Sequence, residues 1–358
     1  MAQFSNEKLQ RVLQTIAHEE GNSFTYDAAE IETEARYSSS RYTNLPIKLL
    51  TIFGGFLATL FFMGFLFSTG LYNSTVALLV FGVAFIVGSE VISRLRHDLL
   101  LDAVSVSLNI TGYLLFGMGV SELNSDVTLA LLLAGIAAIF IVVSGSMVLL
   151  FLATLVFWGS LVSLPLIFEM PELLYVHVGV MAAILVYLSL HEARLIAQHP
   201  RLNKLYAPVR IGSVFSFIGL LILLAHHTLL PEKLEYLWVA SLLLIVALLV
   251  VLRRIMHDNG VTDSKTQTIV YTCCIALLAP TILTPSLAGA LLVVLASFYI
   301  GHHLSFIVGL LALGYFIILY YYNLQLTLLA KSGILVLTGC LFLGGLYLLN
   351  RYLRNHAN

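Results

Sequence analysis

Long apolar segments alternate with short polar ones along most of the chain. An α-helix needs roughly 20 apolar residues to cross the hydrocarbon core of a bilayer. Segments of this kind occupy residues 49–68, 74–92, 99–121, 127–168, 173–190, 211–226, 236–252, 267–301, 304–330 and 332–350. The pattern therefore predicts an all-α integral membrane protein.

Two of these segments are too long for a single transmembrane helix. The segment 127–168 has the small residues Ser144–Ser146 near its middle, which suit a tight reversal between two spans. The segment 267–301 contains Thr284–Ser286, whose central proline lacks a backbone donor and disfavours helix in the residue before it. With both segments split, the sequence predicts about twelve transmembrane helices.

The distribution of positive charge predicts the orientation of these helices. Lys and Arg residues that flank membrane spans stay on the cytoplasmic side. With a cytoplasmic N-terminus, twelve spans place only Lys233 and Lys331 outside, and the other 16 of the 18 Lys and Arg residues, Arg210 among them, inside. Omitting one interior helix would move every later loop to the opposite side and remove this asymmetry. The charges therefore favour twelve spans with both termini in the cytoplasm.

Composition narrows the class of protein further. Apolar residues make up 59% of the 358 and charged residues only 10%, whereas a soluble domain has about a quarter charged residues. A net charge of −1 provides no basic surface for nucleic acid, and no Gly-rich phosphate loop is present. Soluble nucleotide enzymes and nucleic-acid partners are thus excluded, and the bilayer is the expected environment.

Two predicted cytoplasmic loops share a short pattern. The sequence Arg-x-x-His-Asp occurs at 94–98 and again at 254–258, an offset of 160 residues. Adding 160 to the first six spans gives the positions of the last six, which predicts two parallel six-helix repeats at 47–190 and 208–358, joined by a cytoplasmic linker at 191–207. Parallel repeats are a recurrent transporter design with the binding site between the halves. The alternative is a duplication retained only for packing, because fold does not determine function.

Residues 1–46 form the sizeable polar segment of the chain. Leu9, Val12, Leu13 and Ile16 recur at helical spacing and predict an amphipathic helix. The charges that follow it are partly acidic, which is poorly suited to an anionic membrane surface. We therefore expect a cytoplasmic helical head that packs on the loops of the bundle or on a partner protein.

Ionisable side chains in or beside membrane spans are costly and so indicate candidate sites. A polar cluster is predicted at the cytoplasmic mouth, consisting of Glu90, Arg94, His97, Asp98, Asp102, Asn109, Arg254, His257 and Asp258. It suits a proton relay or cation gate, but the interfacial position favours ion-paired anchoring. Asp98 and Asp258 are expected to accept hydrogen bonds from nearby arginines and so tie adjacent helices together.

A second candidate site lies at the predicted outer face. Its residues are His177, Tyr320, Tyr321, Tyr322 and Lys331. Aromatic rings favour the headgroup layer, so an interfacial belt accounts for most of this set. The alternative is a ring-lined pocket in which the lysine binds an anionic headgroup or peptide. The histidine could carry a proton or serve as a hydrogen-bonded packing residue.

Catalysis is not expected. No span has a carboxylate near its middle, which disfavours a pump driven by protons or sodium. Neither a Ser-His-Asp arrangement nor the paired aspartates of an intramembrane protease can be assembled. The pairs His226–His227 and His302–His303 are predicted on opposite faces and cannot share a metal. We therefore expect no enzymatic activity, cofactor or metal site.

Part of the sequence resembles a known family. Residues 320–339, YYYNLQLTLLAKSGILVLTG, look like the closing motif of a bacterial inner-membrane family known only as a domain of unknown function. Members of that family are often encoded beside a protein named for its GDYXXLXY motif. The segments 45–67 and 101–119 are similar to its opening spans. The resemblance implies a multi-pass bacterial inner-membrane protein with a membrane or periplasmic partner, and it brings no established activity.

Two functions follow from the sequence. The first is binding or transport of a small solute or lipid between the two halves, and the second is a non-transporting scaffold or sensor subunit that acts through a partner. A cavity open to one face and lined by Glu90, Asp102, Asn109 and side chains of the seventh or eighth span would favour the first. A closed, uniformly apolar interface would favour the second.

Overall fold

The structure is a computed structural model that describes residues 45–70, 73–95, 99–123, 126–198, 200–226, 236–261 and 263–323, with isolated positions between 332 and 344. Every extended regular element in these ranges is a helix. The all-α class is therefore confirmed. The cytoplasmic head up to residue 44 and most of the predicted last span lie outside the described residues.

Twelve α-helices are described: α1 Leu45–Ser68, α2 Thr75–Leu95, α3 Leu99–Ser121, α4 Asp126–Val143, α5 Met147–Ile167, α6 Leu173–Leu190, α7 Glu192–Gln198, α8 Pro200–Ala225, α9 Leu237–Asp258, α10 Ser264–Leu278, α11 Pro285–Ile300 and α12 His303–Asn323. Eight of them, α2 to α6, α8, α9 and α12, are long and apolar enough to cross a membrane. Large apolar side chains such as Phe61 and Leu311 remain 76% and 70% exposed, as expected for helices that face lipid. The chain is a multi-pass membrane protein.

The first predicted helix break is present where the small residues indicate it. Helix α4 ends at Val143 and α5 begins at Met147. Ser146 precedes α5 in an extended conformation, with φ −88° and ψ 126°. The three small residues Ser144–Ser146 thus separate two antiparallel helices.

The second predicted break is also present but is longer than expected. Helix α10 ends at Leu278, and a 3₁₀ helix over Ala279–Leu283 precedes α11, which starts at Pro285. Pro280 lies in the first turn of the 3₁₀ helix. Because proline lacks the backbone N–H that would continue α10, the chain leaves the α-helix before it reaches Thr284.

The predicted linker at 191–207 is largely helical, since it contains α7 and the start of α8. Helix α8 begins at Pro200, well before the apolar segment that predicted the seventh span. Its first turns are amphipathic, with Lys204 exposed while Tyr206 and Pro208 are buried. Their mean hydropathy is lowered by the exposed face, which explains why the apolar pattern placed the helix start too late. The division into two halves remains a prediction.

The α2–α3 pair forms the most extensive helix contact in the described part of the chain. Two glycines permit it: a Cβ added at Gly82 would lie 2.6 Å from the backbone nitrogen of Phe116, and one at Gly112 would lie 2.8 Å from that of Ile86. Small residues allow this backbone approach between membrane helices. Helices α9 and α10, their counterparts in the predicted repeat, contact each other only lightly.

The largest apolar core lies farther along the chain. It joins side chains of α5 and α6 to those of α8, α9, α11 and α12, with Trp158, Phe217 and Phe316 among its largest members. A smaller core is formed by side chains of α2, α3, α4 and α5, and a third by side chains of α1, α2 and α3. Both predicted halves therefore contribute to the main core.

Polar contacts place several helix ends at one end of the bundle, which we call the charged end. It contains Glu90, Arg94, Glu192, Arg201, Arg254 and Asp258. Hydrogen bonds across it join α2 to the turn between α4 and α5, and α8 to the last turn of α4. That this end faces the cytoplasm remains a prediction.

Candidate functional site

Glu90, near the end of α2, has a full set of protein partners. Its side chain is only 9% exposed. The carboxylate accepts hydrogen bonds from Arg94 Nε at 2.7 Å, Ser144 Oγ at 2.6 Å and the Gly145 amide at 3.1 Å. Arg94 also donates from Nη2 to the Val143 carbonyl at 2.8 Å, which caps α4. These contacts attach α2 to the α4–α5 turn, as expected for anchoring.

Asn109 lies beside this group and pairs α3 with α2. Its Nδ2 donates to Ser89 Oγ at 3.0 Å, while its buried Oδ1 has no hydrogen-bond partner. Asp102 is half-buried in the first turn of α3. His97 and Asp98, which the sequence assigns to the same cluster, lie outside the described residues.

The second Arg-x-x-His-Asp sequence, predicted as a loop, forms the last turns of α9 because that helix continues to Asp258. Arg254 Nε lies 3.2 Å from Asp258 Oδ2, and His257 Nδ1 lies 3.2 Å from the other carboxylate oxygen. Tyr299 adds a hydrogen bond that the sequence did not predict, from its hydroxyl to Asp258. Because Tyr299 belongs to α11, this contact joins α9 to α11.

Two contacts are described among the residues of the predicted outer pocket, and both are local. His177 Nδ1 lies 3.3 Å from the Leu173 carbonyl of the preceding helical turn. The rings of Tyr321 and Tyr322 meet edge to face at 5.9 Å. Lys331 lies outside the described residues. The outer pocket, including Tyr320, remains a prediction.

A buried arginine in α8 forms a site that the sequence analysis did not identify. The charge pattern predicts Arg210 in a cytoplasmic segment just before the seventh span. The structure instead places it ten residues into α8, with 4% of its surface exposed. Its Nε has no hydrogen-bond partner. Its Cζ lies 5.7 Å from the centre of the Tyr206 ring, whose hydroxyl donates to the Leu188 carbonyl at 3.1 Å. A cation–π contact compensates part of the cost of burying the charge.

A small cavity lies beside this guanidinium, between α6, α8 and α11. Its polar lining consists of Ser189, Arg210 and Ser297, and its apolar lining of Leu185, Val214, Leu292, Val293 and Ala296. It has room for about one water molecule. We call it the Arg210 cavity. No acidic residue lines it, and Glu90, Asp102 and Asn109 are not part of it.

Close helix packing holds α8 in place around this cavity. A Cβ added at Gly212 would lie 2.8 Å from Thr154 Cβ, so α8 approaches α5 closely two residues beyond the arginine. Trp158 Nε1 donates to Ser213 Oγ at 3.2 Å across the same contact. On the other side, Gly289 of α11 faces a leucine of α8 at similarly short range. The backbone that carries Arg210 is therefore fixed between two helices.

The nearby carboxylate of Glu192 interacts with His302 as well as with Tyr206 and Arg210. Its Oε1 lies 2.9 Å from His302 Nε2, a contact between α7 and the start of α12. Glu192 acts on Arg210 electrostatically. Even so, the ion pairs found within 4.0 Å in the described part of the chain do not include that arginine.

The described residues contain no group of three His, Cys, Asp or Glu side chains that could hold a metal ion. The contacts that the structure describes at the charged end are hydrogen bonds and ion pairs. Two buried charges contrast with each other. The carboxylate of Glu90 has several donors, whereas Arg210 has an Nε without an acceptor and lines a cavity.

The sequence matches a known family profile over most of its length. This profile, described as Domain of unknown function (DUF4401), matches residues 44–352. The chain belongs to this family. The match spans all twelve described helices and both polar centres, and it confirms the expected membership of a family of unknown function. No curated protein and no solved structure is significantly similar to the chain.

Proposed function

We propose that this DUF4401 protein transports a small polar solute across the membrane. The solute binds in the Arg210 cavity, between the two predicted halves of the chain. The observation that carries the proposal is the position of this polar cavity. It lies where α6, from the predicted half 47–190, meets α8 and α11, from the predicted half 208–358. In parallel-repeat transporters the solute site occupies the same place, between the halves.

Burial of polar groups at this seam is costly unless they serve a purpose. Transfer of a guanidinium from water into a protein interior costs on the order of several kcal/mol. An apolar residue at position 210 would avoid this cost. The surrounding core is otherwise apolar, with Phe217 and Leu221 fully buried on the same helix. Intramembrane ionisable residues retained in such surroundings mark solute pathways.

The Glu90 cluster supports the bundle in this proposal and does not bind solute. Its carboxylate oxygens are occupied by Arg94, Ser144 and Gly145. A solute would have to displace donors held by two other helix ends. We therefore assign the cluster to anchoring, in agreement with its interfacial position.

The proposed setting is a bacterial inner membrane with the charged end and both termini in the cytoplasm. The 16 to 2 distribution of Lys and Arg supports this orientation. Single cysteines at Ser125 and Ser264, introduced in a Cys-free background, test it. Ser125→Cys should react from outside and Ser264→Cys from the cytoplasm. Reaction of both from the same side, or a reversed result at either, would exclude the twelve-span topology.

Solute access to the cavity can be tested by the same chemistry. Ser297→Cys, with Cys273, Cys274 and Cys340 replaced, should react with a small water-soluble thiol reagent from one face of the membrane. Ala290→Cys is the matched control, because it lies on the same helix, is fully buried and does not line the cavity. It should remain unreactive.

Failure of Ser297→Cys to react from either face would mean that the seam stays closed. The competing function would then stand: a scaffold or sensor subunit that acts through a membrane or periplasmic partner and through its cytoplasmic head. In that case a partner should co-purify with the full chain and be lost when residues 1–44 are deleted.

A further inference from the structure

We infer that the solute of the Arg210 cavity is a small monovalent anion, bound by the Arg210 guanidinium together with the hydroxyls of Ser189 and Ser297. This inference rests on the proposed function, because it assigns a chemical class to the ligand of the same cavity. It goes further in naming the residue that recognises the ligand and the charge that the ligand must have.

The charge of the ligand follows from what surrounds Arg210. An arginine stays protonated in proteins, so its positive charge cannot be removed by burial. The ring of Tyr206, at 5.7 Å, and the carboxylate of Glu192, which lies beyond ion-pair distance and also contacts His302, compensate the charge in part. Nε still lacks an acceptor. A water molecule could accept that hydrogen bond but would add no negative charge, whereas an anion provides both an acceptor and a charge.

The size of the ligand follows from the cavity. Room for about one water molecule suits a single-atom anion such as a halide. A phosphate group, free or on a lipid, would have to force α6, α8 and α11 apart. Close packing of Gly289 of α11 against Leu221 of α8 resists such separation. The apolar side chains Val214, Leu292 and Val293 exclude bulk water and strengthen the electrostatic attraction.

Neutral donors complete the site. Ser189 and Ser297 are 8% and 4% exposed, and they line the cavity from α6 and α11. Hydroxyl groups can donate to an anion without adding charge. An acidic residue in the lining would repel the ligand, and the lining contains none.

Thermal unfolding of the purified full-length protein tests the assignment. Sodium chloride replaces sodium gluconate at constant ionic strength, so that screening stays the same. Because a ligand that binds only the folded state stabilises it by RT ln(1 + [L]/Kd), the unfolding temperature should rise by a few degrees, and the rise should follow the logarithm of the chloride concentration above the dissociation constant. Formate, which is larger, should act more weakly, and inorganic phosphate should have no such effect.

Three variants identify the recognising residue. Arg210→Gln should abolish the chloride-dependent rise. Arg253→Gln, which removes an exposed arginine of the same end of the bundle, should retain it. Ser297→Val keeps the guanidinium but removes a donor and fills the cavity, so the chloride concentration at which the unfolding temperature begins to rise should increase at least tenfold. It also provides a readout if Arg210→Gln does not fold.

The assignment is overturned if chloride does not raise the unfolding temperature of the wild type above gluconate, if Arg210→Gln or Ser297→Val responds like the wild type, or if phosphate alone stabilises. The cysteine experiment separates this failure from failure of the proposed function. A reactive Ser297→Cys without any anion response rejects the anion and leaves the solute cavity. An unreactive Ser297→Cys rejects the cavity itself.

Discussion

Glu90 and Arg210 are both buried ionisable side chains, yet their surroundings differ. Glu90 accepts three hydrogen bonds from Arg94, Ser144 and Gly145. Arg210 has an aromatic ring beside it, an Nε without an acceptor, and a cavity. One charge is matched by fixed protein groups, and the other is left partly unmatched.

This difference distinguishes buried charges that stabilise the fold from buried charges that bind a ligand. A charge whose partners all belong to the protein contributes to stability through those partners, so its removal should destabilise. A charge that lacks partners costs stability in the absence of a ligand, so its removal should be tolerated while ligand binding is lost. The contrast therefore predicts effects of different size and sign when these charges and their surroundings are altered.

The largest effect is expected where backbone contact holds Glu90 in position. Gly82→Ala would place a Cβ 2.6 Å from the Phe116 nitrogen and force α2 away from α3. Overpacking of this kind costs up to about 3 kcal/mol of unfolding free energy, which thermal unfolding of the purified protein would detect. Gly88→Ala on the same helix is the control, since nothing lies within 4 Å of the added Cβ. Equal stability of the two variants would contradict the tight α2–α3 contact.

Removal of the matched charge should come next. Glu90→Ala leaves the Ser144 hydroxyl and the Gly145 amide without their acceptor in a largely buried place. Each unsatisfied buried group costs about 1–3 kcal/mol, so we expect a loss of about 2 kcal/mol and a clearly lower unfolding temperature. The response to chloride should persist in this variant. A stable Glu90→Ala protein without that response would move the solute site to the Glu90 cluster.

Removal of the charge of Arg210 should change stability in the opposite direction. Arg210→Met keeps much of the side-chain volume and deletes a buried cation, which should leave stability unchanged or raise it by about 1 kcal/mol in chloride-free buffer. The measurement is thermal unfolding in sodium gluconate. A marked loss of stability there would show that Arg210 is matched by the protein after all, and the contrast with Glu90 would disappear.

The paired loops should affect function more than stability. Arg94→Gln with Arg254→Gln removes one ion pair from each of the two Arg-x-x-His-Asp loops, and both arginine side chains are at least 50% exposed. Solvated pairs contribute little to folding, so the unfolding temperature should fall only slightly. Reactivity of Ser297→Cys, which reports how the halves meet, should change more. If the double variant failed to insert, the arginines would be topology determinants, and a role in how the halves meet should be abandoned.

The smallest effect is expected at a carboxylate that is well matched but exposed. Hydrogen bonds from the hydroxyl and the amide of Thr266, with the amide of Lys265, hold the pKa of Asp263 below its usual range at the start of α10. Because the folded-state pKa is lowered, this stabilisation is complete above the unfolded value of 3.8 and is lost as pH falls through the folded value.

Unfolding temperatures measured from pH 6 downward should therefore show a slight extra decline in the wild type. Asp263→Asn keeps an N-cap acceptor but cannot titrate, so it lacks that decline. A large pH effect from this site would show that exposure does not weaken a matched charge.

Local features of the chain were predictable because they depend on neighbours in sequence. The breaks at Ser144–Ser146 and near Pro285 follow from backbone chemistry, although Pro280 lengthened the second one. The contact between Arg254 and Asp258 spans one helical turn, so the pattern alone predicted it. Family membership was predictable for a similar reason, since motifs are read directly from the residues.

Arg210 could not be recognised in the same way. Hydropathy averages over a window, and the exposed face of the first turns of α8 hid a helix that begins at Pro200. A signal was present in the helical spacing of Tyr206, Arg210 and Phe217, which share the buried face. By itself, this spacing does not show that a cavity lies opposite the guanidinium.

The sequence by itself determined that the chain is a bundle of membrane helices, where most of those helices break, and which charges lie near their ends, because each depends on residues within a few turns. Only the tertiary structure decided which charges find partners. Glu90 meets the α4–α5 turn more than fifty residues away, and the Glu192 contact with His302 spans 110 residues. Burial of a charge depends on the helices that happen to surround it, and no local pattern encodes that arrangement.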